Sequence, residues 1–172
     1  AGPVCAAAVI LPSGCAIEGL NDSKKLSEKK REALFEQIKE KALAYGIAFA
    51  SVDEIETYNI LNATFLAMGR AVELLPEAAD FALIDGNQVP KGLCVPCRTL
   101  IKGDALSASV AAASILAKVT RDRYMLEMAE KYPQYGFEKH KGYGTKAHTE
   151  ALRAHGPCEI HRLSFLGRIL GK

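Results

Sequence analysis

Ile101-Lys102-Gly103-Asp104-Ala105-Leu106-Ser107-Ala108-Ser109-Val110, continuing Ala111-Ala112-Ala113-Ser114-Ile115-Leu116-Ala117-Lys118-Val119-Thr120-Arg121-Asp122-Arg123, decides how the chain folds. From Ala105 to Lys131 there is no Pro or Gly, and good helix formers dominate, so this stretch predicts one helix of several turns. Ser109, Ala111 to Ser114 and Ala117 have side chains short enough for a sheet to approach closely. The first half of the helix is therefore expected to be buried. Asp104, after Gly103, is placed where a carboxylate accepts from the orphan N–H groups of a first helical turn. By itself that is a helix cap. A second acid, Asp85, turns attention to chemistry.

Composition bounds the answer. With 172 residues and 49% hydrophobic content the chain can bury one sizeable core, and no stretch reads as a linker between two. Lys and Arg number 22 against 20 Asp and Glu, and a formal charge of +2 does not announce a nucleic-acid binder. The distribution is more telling. Lys24, Lys25, Lys29, Lys30 and Arg31 cluster early, and Lys139, Lys141, Lys146, Arg153, Arg162 and Arg168 gather late, although most such runs are solvated faces. No apolar stretch reaches the length of a membrane span and no signal peptide opens the chain, so a soluble, cytoplasmic protein without membrane contact is expected, acting as a monomer. Five cysteines, Cys5, Cys15, Cys94, Cys97 and Cys158, do not make a secreted disulfide framework. Cys94 and Cys97 form a lone C-x-x-C, with no second ligand pair for zinc.

Outward from the central stretch, Val4 to Leu11 is an apolar run suited to a strand interior to a sheet. Ser27 caps a helix predicted from about Glu28 to Tyr45, with Gly46 just past its end. Ile47 to Ser51 is a short strand, and Ser51 with Glu54 has capping-box spacing for a brief helical turn. Asn59 to Leu75 repeats the helical period and Pro76 ends it. Phe81 to Ile84 is a strand with Asp85 at its C-terminal edge, where α/β sheets carry their sites. Arg98 to Lys102 is another strand. Tyr132 to Thr145 mixes aromatics, glycines and cations, a composition suited to stacking on sugars or bases beside phosphate contacts, or equally to tyrosines covering the core. Thr145 caps a last helix, Lys146 to His155.

Asp85 and Asp104 each stand at the end of an element beside these basic and aromatic segments. Carboxylate pairs of this kind hold magnesium together with waters and substrate phosphate. Phosphodiester hydrolysis uses two such ions about 3.5 to 4 Å apart.

Six stretches in order carry a specific resemblance. They are Asn21-Asp22-Ser23-Lys24-Lys25-Leu26-Ser27, Leu83-Ile84-Asp85-Gly86-Asn87, Lys102-Gly103-Asp104, Ala111 to Asp122, Tyr135-Gly136-Phe137 with His140 to Thr145, and His161-Arg162-Leu163-Ser164-Phe165. Over nearly its full length the chain resembles ribonuclease HII, the bacterial type 2 ribonuclease H. The resemblance implies a ribonuclease H-like α/β fold, a mixed sheet flanked by helices, in one domain whose C-terminal segment from about residue 132 contacts substrate. It also implies endonucleolytic cleavage of RNA in RNA/DNA hybrids and at single ribonucleotides embedded in duplex DNA, by two Mg2+ or Mn2+ ions, leaving 5′-phosphate and 3′-hydroxyl ends. Asp85 and Asp104 match two of the family's four metal-binding acids. Tyr143 matches the tyrosine that stacks on the sugar beside the ribonucleotide. Ser23, Lys24 and Lys118 fall where the family contacts phosphates, and His161 with Arg162 would do so from the tail. For Lys118, pairing with Asp122, itself read as structural, is the alternative.

The family's opening strand bears Asp-Glu-x-Gly-Arg-Gly, which supplies the other two acids and a loop that reads the 2′-hydroxyl. Ala1 to Val4 correspond to residues shortly after it. The sequence is therefore expected to be a fragment, inactive and poorly stable alone, with the missing strand lying between Val4 to Leu11 and the strand ending at Asp85. Two alternatives are a catalytically dead nucleic-acid-binding protein of the same fold, and a zinc or redox module at Cys94 and Cys97.

Overall fold

A computed structural model describes residues 1–20, 23, 25–76 and 79–171. Strand β1 (Val4–Ile10) pairs antiparallel with β2 (Ala44–Ala50), Val4 opposite Ala50 and Ile10 opposite Ala44. Successive side chains of a strand point to opposite faces, and β1 uses both. Val4 and Ala6 pack with Ala50, Ile55, Ala63 and Ala67, whereas Ala7 and Val9 pack with Leu34, Phe35, Ile38, Ile115 and Leu116. The sheet is thus a middle layer. Helix α2 (Val52–Glu73) covers one face, and α1 (Glu28–Lys41) with α4 (Ala108–Lys131) covers the other. The alanines let these layers close tightly.

Local signals set most boundaries. Ser27 accepts from Lys30 N–H at 3.3 Å to start α1, and Ser51 with Glu54 forms the full capping box that starts α2. The helical turn and the Asn59-to-Leu75 helix merge into α2, but Asn59 kinks it at φ 65° and accepts from Leu61 and Asn62 N–H groups, so it caps the second piece from within. Helix α1 ends at Lys41, not near Tyr45, because Ala44 onward pairs with β1. Gly46 is accordingly a strand residue, not a helix terminator. A Cβ there would lie 2.0 Å from the Ala71 carbonyl oxygen, so β2 can meet α2 this closely only at glycine.

Strands β3 (Ala82–Asp85) and β4 (Cys97–Leu100) form a parallel pair, Asp85 opposite Leu100. Among the described residues β1 pairs with β2 alone and β3 with β4 alone, so the expected mixed sheet is present as two halves. The central helix differs from expectation too. Residues Gly103–Leu106 form a separate turn, α3, and α4 begins only after Ser107, whose extended backbone (φ −136°) and hydroxyl, accepting from Val110 N–H at 3.5 Å, interrupt the run. Beyond α4, a 3-10 turn (Pro133–Tyr135), α5 (Phe137–His140) and α6 (Lys146–His155) pack with a second 3-10 turn (Leu163–Phe165) and α7 (Gly167–Leu170). Tyr135, Phe137, Leu152, Ile160 and Leu166 close on Met125 and Ala129 at the far end of α4. Among the described residues no helix is long and apolar enough to cross a membrane.

Candidate active site and nucleic-acid groove

The end of the parallel pair sets Asp85 against the turn that carries Asp104. Asp85 is the last residue of β3, and its Oδ1 accepts from the Gly103 N–H at 2.9 Å. Gly86 N–H, one residue on, donates to Leu100 O at 3.0 Å and continues the ladder. The chain leaves β4 through Lys102, held at φ 57°, and enters α3 with Gly103 and Asp104. A Cβ on Gly103 would sit 3.1 Å from both Leu100 Cβ and Val110 Cγ1 and 3.4 Å from Asp85 Oδ1, so the absence of a side chain lets strand end and helix converge. Asp104 is not the cap of the long helix. Ser107 holds that position, and Asp104 lies instead in the first turn of α3.

Carboxylates are the hard oxygen donors that magnesium and manganese take, and in kind these two fit. Among the described residues no cluster of three or more His, Cys, Asp and Glu is assembled, so Asp85 and Asp104 amount to part of a ligand set. Cys94 is exposed and Cys97 half-buried in β4, both as free thiols.

A cleft of about 400 Å3 runs from Asp85 between the two half-sheets. Its walls are the consecutive residues Cys5 to Ile10 of β1 with Leu11 after them and Ala82 to Asp85 of β3 with Phe81 before them, and its floor includes Ser109, Val110, Ala113, Ser114 and Ala117 of α4. Consecutive strand residues line a cavity only along a strand edge, so each half-sheet presents an edge to it. Of the small residues read from the sequence as a close-packing face, Ser109, Ala113, Ser114 and Ala117 thus floor this cleft, while Ala111 and Ala112 are buried.

A second groove, about 540 Å3, shares Cys5, Thr64 and Ala117 with the cleft and continues to Tyr143. Tyr143 is 56% exposed. Lys118 Nζ and the Arg121 guanidinium each lie 5.2 Å from its ring centroid, one α4 turn apart, so cation–π attraction holds two positive charges against the ring. Lys118 also pairs with buried Asp122 at 2.7 Å, so the alternative read from the sequence coexists with its place in the groove. Arg121, which the sequence reading passed over, donates to the carbonyls of Ala1, Pro3 and Lys141 and ties the Tyr143 loop to the start of β1. Its i+3 spacing from Lys118 was the available signal.

The remaining candidates sit deeper. Arg162 donates to Gly2 and Pro3 carbonyls and lies over Phe165, and burial with Arg121 nearby lowers its pKa to about 10. His161 is only 2% exposed, with both ring nitrogens engaged by Cys158 and His148. It lines the groove, but both ring nitrogens are taken by these protein partners. Ser23 is buried, and its carbonyl accepts from Arg31 at 3.0 Å. Lys24 lies outside the described residues.

Half-sheets on a long helix, acids at a strand end and a basic aromatic groove together define an α/β protein of the ribonuclease H-like class. The solved ribonuclease H2 of Pyrococcus horikoshii OT3 superposes with a TM-score of 0.75 at 25% identity, over 99% of this chain and 92% of that one. Bst-RNase HIII in complex with Mn2+ shares the fold at a TM-score of 0.64 and 18% identity, covering 90% and 58%. The family model described as Ribonuclease HII matches residues 1–167. Ribonuclease HII of Marinomonas sp. (strain MWYL1) is 59% identical over 165 residues, 96% of this chain and 83% of the relative. The chain belongs to the ribonuclease HII family.

Proposed function

We propose that this chain provides the catalytic domain of an endoribonuclease. It cuts the RNA strand of RNA/DNA hybrids and the phosphodiester beside single ribonucleotides in duplex DNA, leaving 5′-phosphate and 3′-hydroxyl ends. The observation that carries this is that the two cavities adjoin, sharing Cys5, Thr64 and Ala117: one holds Asp85, hydrogen-bonded to the residue before Asp104, and the other holds Tyr143 beneath Lys118 and Arg121. A duplex laid along the groove places backbone phosphates against these cations and a sugar against the Tyr143 ring.

Asp85 and Asp104 are the residues to hold Mg2+ or Mn2+. Such ions generate hydroxide from bound water and stabilise the leaving oxygen when present. The protein's own part is to fix the carboxylates: Gly103 N–H orients Asp85, and the β4-to-α3 turn presents Asp104. Two carboxylates and one phosphate offset about three of the four charges of two divalent ions and supply few of the oxygens that two octahedral ions need. The cleft lies between the edges of β1 and β3, and the resemblance places two more acids on a further strand there. We expect the 172-residue chain to cut poorly without it. The smaller reading, a duplex-binding protein without cleavage, draws support from the two-carboxylate set.

The test is cleavage of a labelled DNA duplex containing one ribonucleotide, in Mg2+ and in Mn2+. The 172-residue chain and a version preceded by a strand bearing Asp-Glu-x-Gly-Arg-Gly are compared. Cleavage by the extended protein, lost on Asp85→Asn or Asp104→Asn, supports the enzyme reading; binding without cleavage by both leaves the binder.

A further inference from the structure

Three buried histidines in the C-terminal segment have no part in the reading above: His140, His148 and His161. Their partners fix where each proton sits. Cys158 N–H donates to His161 Nδ1 at 2.9 Å, and Cys158 Sγ lies 3.1 Å from the same nitrogen. Burial raises the Cys158 thiol pKa, so Sγ keeps its proton and is a second donor there. Nδ1 of His161 is therefore an acceptor, and in a neutral ring the single proton is on Nε2. That nitrogen lies 3.0 Å from His148 Nε2, which must accept it. The His148 proton is then on Nδ1, which donates to the Tyr143 carbonyl at 2.9 Å. Each link determines the next.

We infer that His148 and His161 are positioning residues for Tyr143, the middle links of a one-directional hydrogen-bond chain from Cys158 through both rings to the Tyr143 backbone. This rests on the reading that Tyr143 meets the substrate. The Tyr143 carbonyl also accepts from Thr145 N–H at 2.8 Å, so the backbone carrying the exposed ring is held from two sides. His140 runs separately: Gly142 N–H donates to its Nδ1 at 3.2 Å, and its Nε2 lies 3.0 Å from the Tyr135 carbonyl. It stacks on His148 at 4.7 Å between centroids, and Phe137 meets His148 and His161 edge-on or tilted. The Ala1 amine, its pKa lowered to about 5 by burial and by Arg162 and Arg121, is neutral at pH 7, and the charged groups lining this groove, Lys118, Arg121 and Arg162, are cationic. They disfavour an extra proton on either ring, and such a proton would set two N–H groups against each other and break the chain.

Two measurements on the 172-residue protein test this, both without divalent ions so that nothing is cut. Ring 15N shifts at pH 7 are expected to show His148 protonated on Nδ1 and His161 on Nε2. The reverse pattern, or a charged ring, overturns the chain. Affinity for an uncut duplex containing one ribonucleotide is expected to fall roughly tenfold on His148→Leu, about the scale of one lost hydrogen bond. His148→Asn, whose side-chain amide can still donate to the Tyr143 carbonyl, should recover most of it. Equal affinities for the Leu and Asn variants overturn the positioning role. Should His148→Leu fail to fold, the ring spectra of the unaltered protein and a His148→Asn affinity within threefold of its own still decide the matter. Tyr143→Ala separates the two failures: unchanged affinity there overturns the reading of Tyr143, whereas the 15N pattern stands or falls independently.

Discussion

Asp85 accepts a hydrogen bond from the Gly103 N–H at 2.9 Å, so the carboxylate ending β3 is fixed by the residue immediately before Asp104. The two acids lie 19 residues apart in sequence, and the parallel register, which sets Asp85 opposite Leu100, brings the turn that carries Asp104 beside Asp85. One backbone donor therefore couples the position of both.

Substitution at residue 85 should separate chemistry from architecture. Asp85→Asn keeps an oxygen for Gly103 and removes the charge. Cleavage by the strand-extended protein should fall by at least about a hundredfold, with the melting temperature changed little. Asp85→Ala removes the acceptor as well and should additionally cost about 1–2 kcal/mol of stability, because Gly103 N–H loses its partner. Thermal melts beside single-turnover rates check both, and equal rates for Asn and wild type would remove Asp85 from the site.

Gly46→Ala tests the closest approach of sheet and helix. The added methyl would meet the Ala71 carbonyl at 2.0 Å and Leu74 Cβ at 3.0 Å, and the first contact is backbone that cannot turn aside. Overpacking of this kind costs about 1–3 kcal/mol or more. A denaturant midpoint within error of wild type would mean that β2 and α2 are not so tightly apposed.

Capping chemistry was largely legible in the sequence, because Ser27, Ser51 with Glu54, and Thr145 act on N–H groups three residues away. Asp85 at the end of a short strand was legible for the same reason. The end of α1 was not: Ala42 to Tyr45 are acceptable in a helix, and only pairing with β1, more than thirty residues earlier, pulls Ala44 into a strand. The break at Ser107 carries no Pro or Gly, and whether that hydroxyl caps or is carried inside a helix depends on Asp85 and Gly103 holding α3 in place. His140 ends α5, His148 lies on α6 and His161 in the loop that follows it, and no periodicity relates them.

Lys118 has two partners, and they can be told apart. Lys118→Met removes a cation from the Tyr143 ring and leaves Asp122, 6% exposed, without its 2.7 Å ion pair. Stability should fall by about 1–3 kcal/mol, mostly from the orphaned carboxylate. Adding Asp122→Asn should restore most of the stability and none of the duplex affinity, expected to be reduced severalfold with a shallower salt dependence by about one unit of slope. If the double variant regains affinity, Lys118 acts only through Asp122.

Acid should loosen the C-terminal segment before it reaches the rest of the fold. Burial, with His148 opposite, lowers the His161 pKa from 6.5 to about 4, and burial lowers that of His148 too. Both rings are held neutral in the folded protein and take up protons more readily when unfolded. The unfolded state therefore binds more protons between pH 6.5 and 4, and stability rises with pH across that window. The contribution is fully present above about pH 6.5 and is lost as pH falls through the folded value. For His161 it amounts to about 3 kcal/mol at most. Hydrogen exchange of the Tyr143 to His148 and Cys158 to His161 amides should accelerate between pH 6.5 and 4, after correction for the intrinsic rate, while α1 and the β1–β2 pair stay protected. His161→Gln should flatten that dependence, having no ring to titrate. A segment equally protected at pH 7 and pH 4 would show that the two rings stay neutral for reasons other than their burial in this chain.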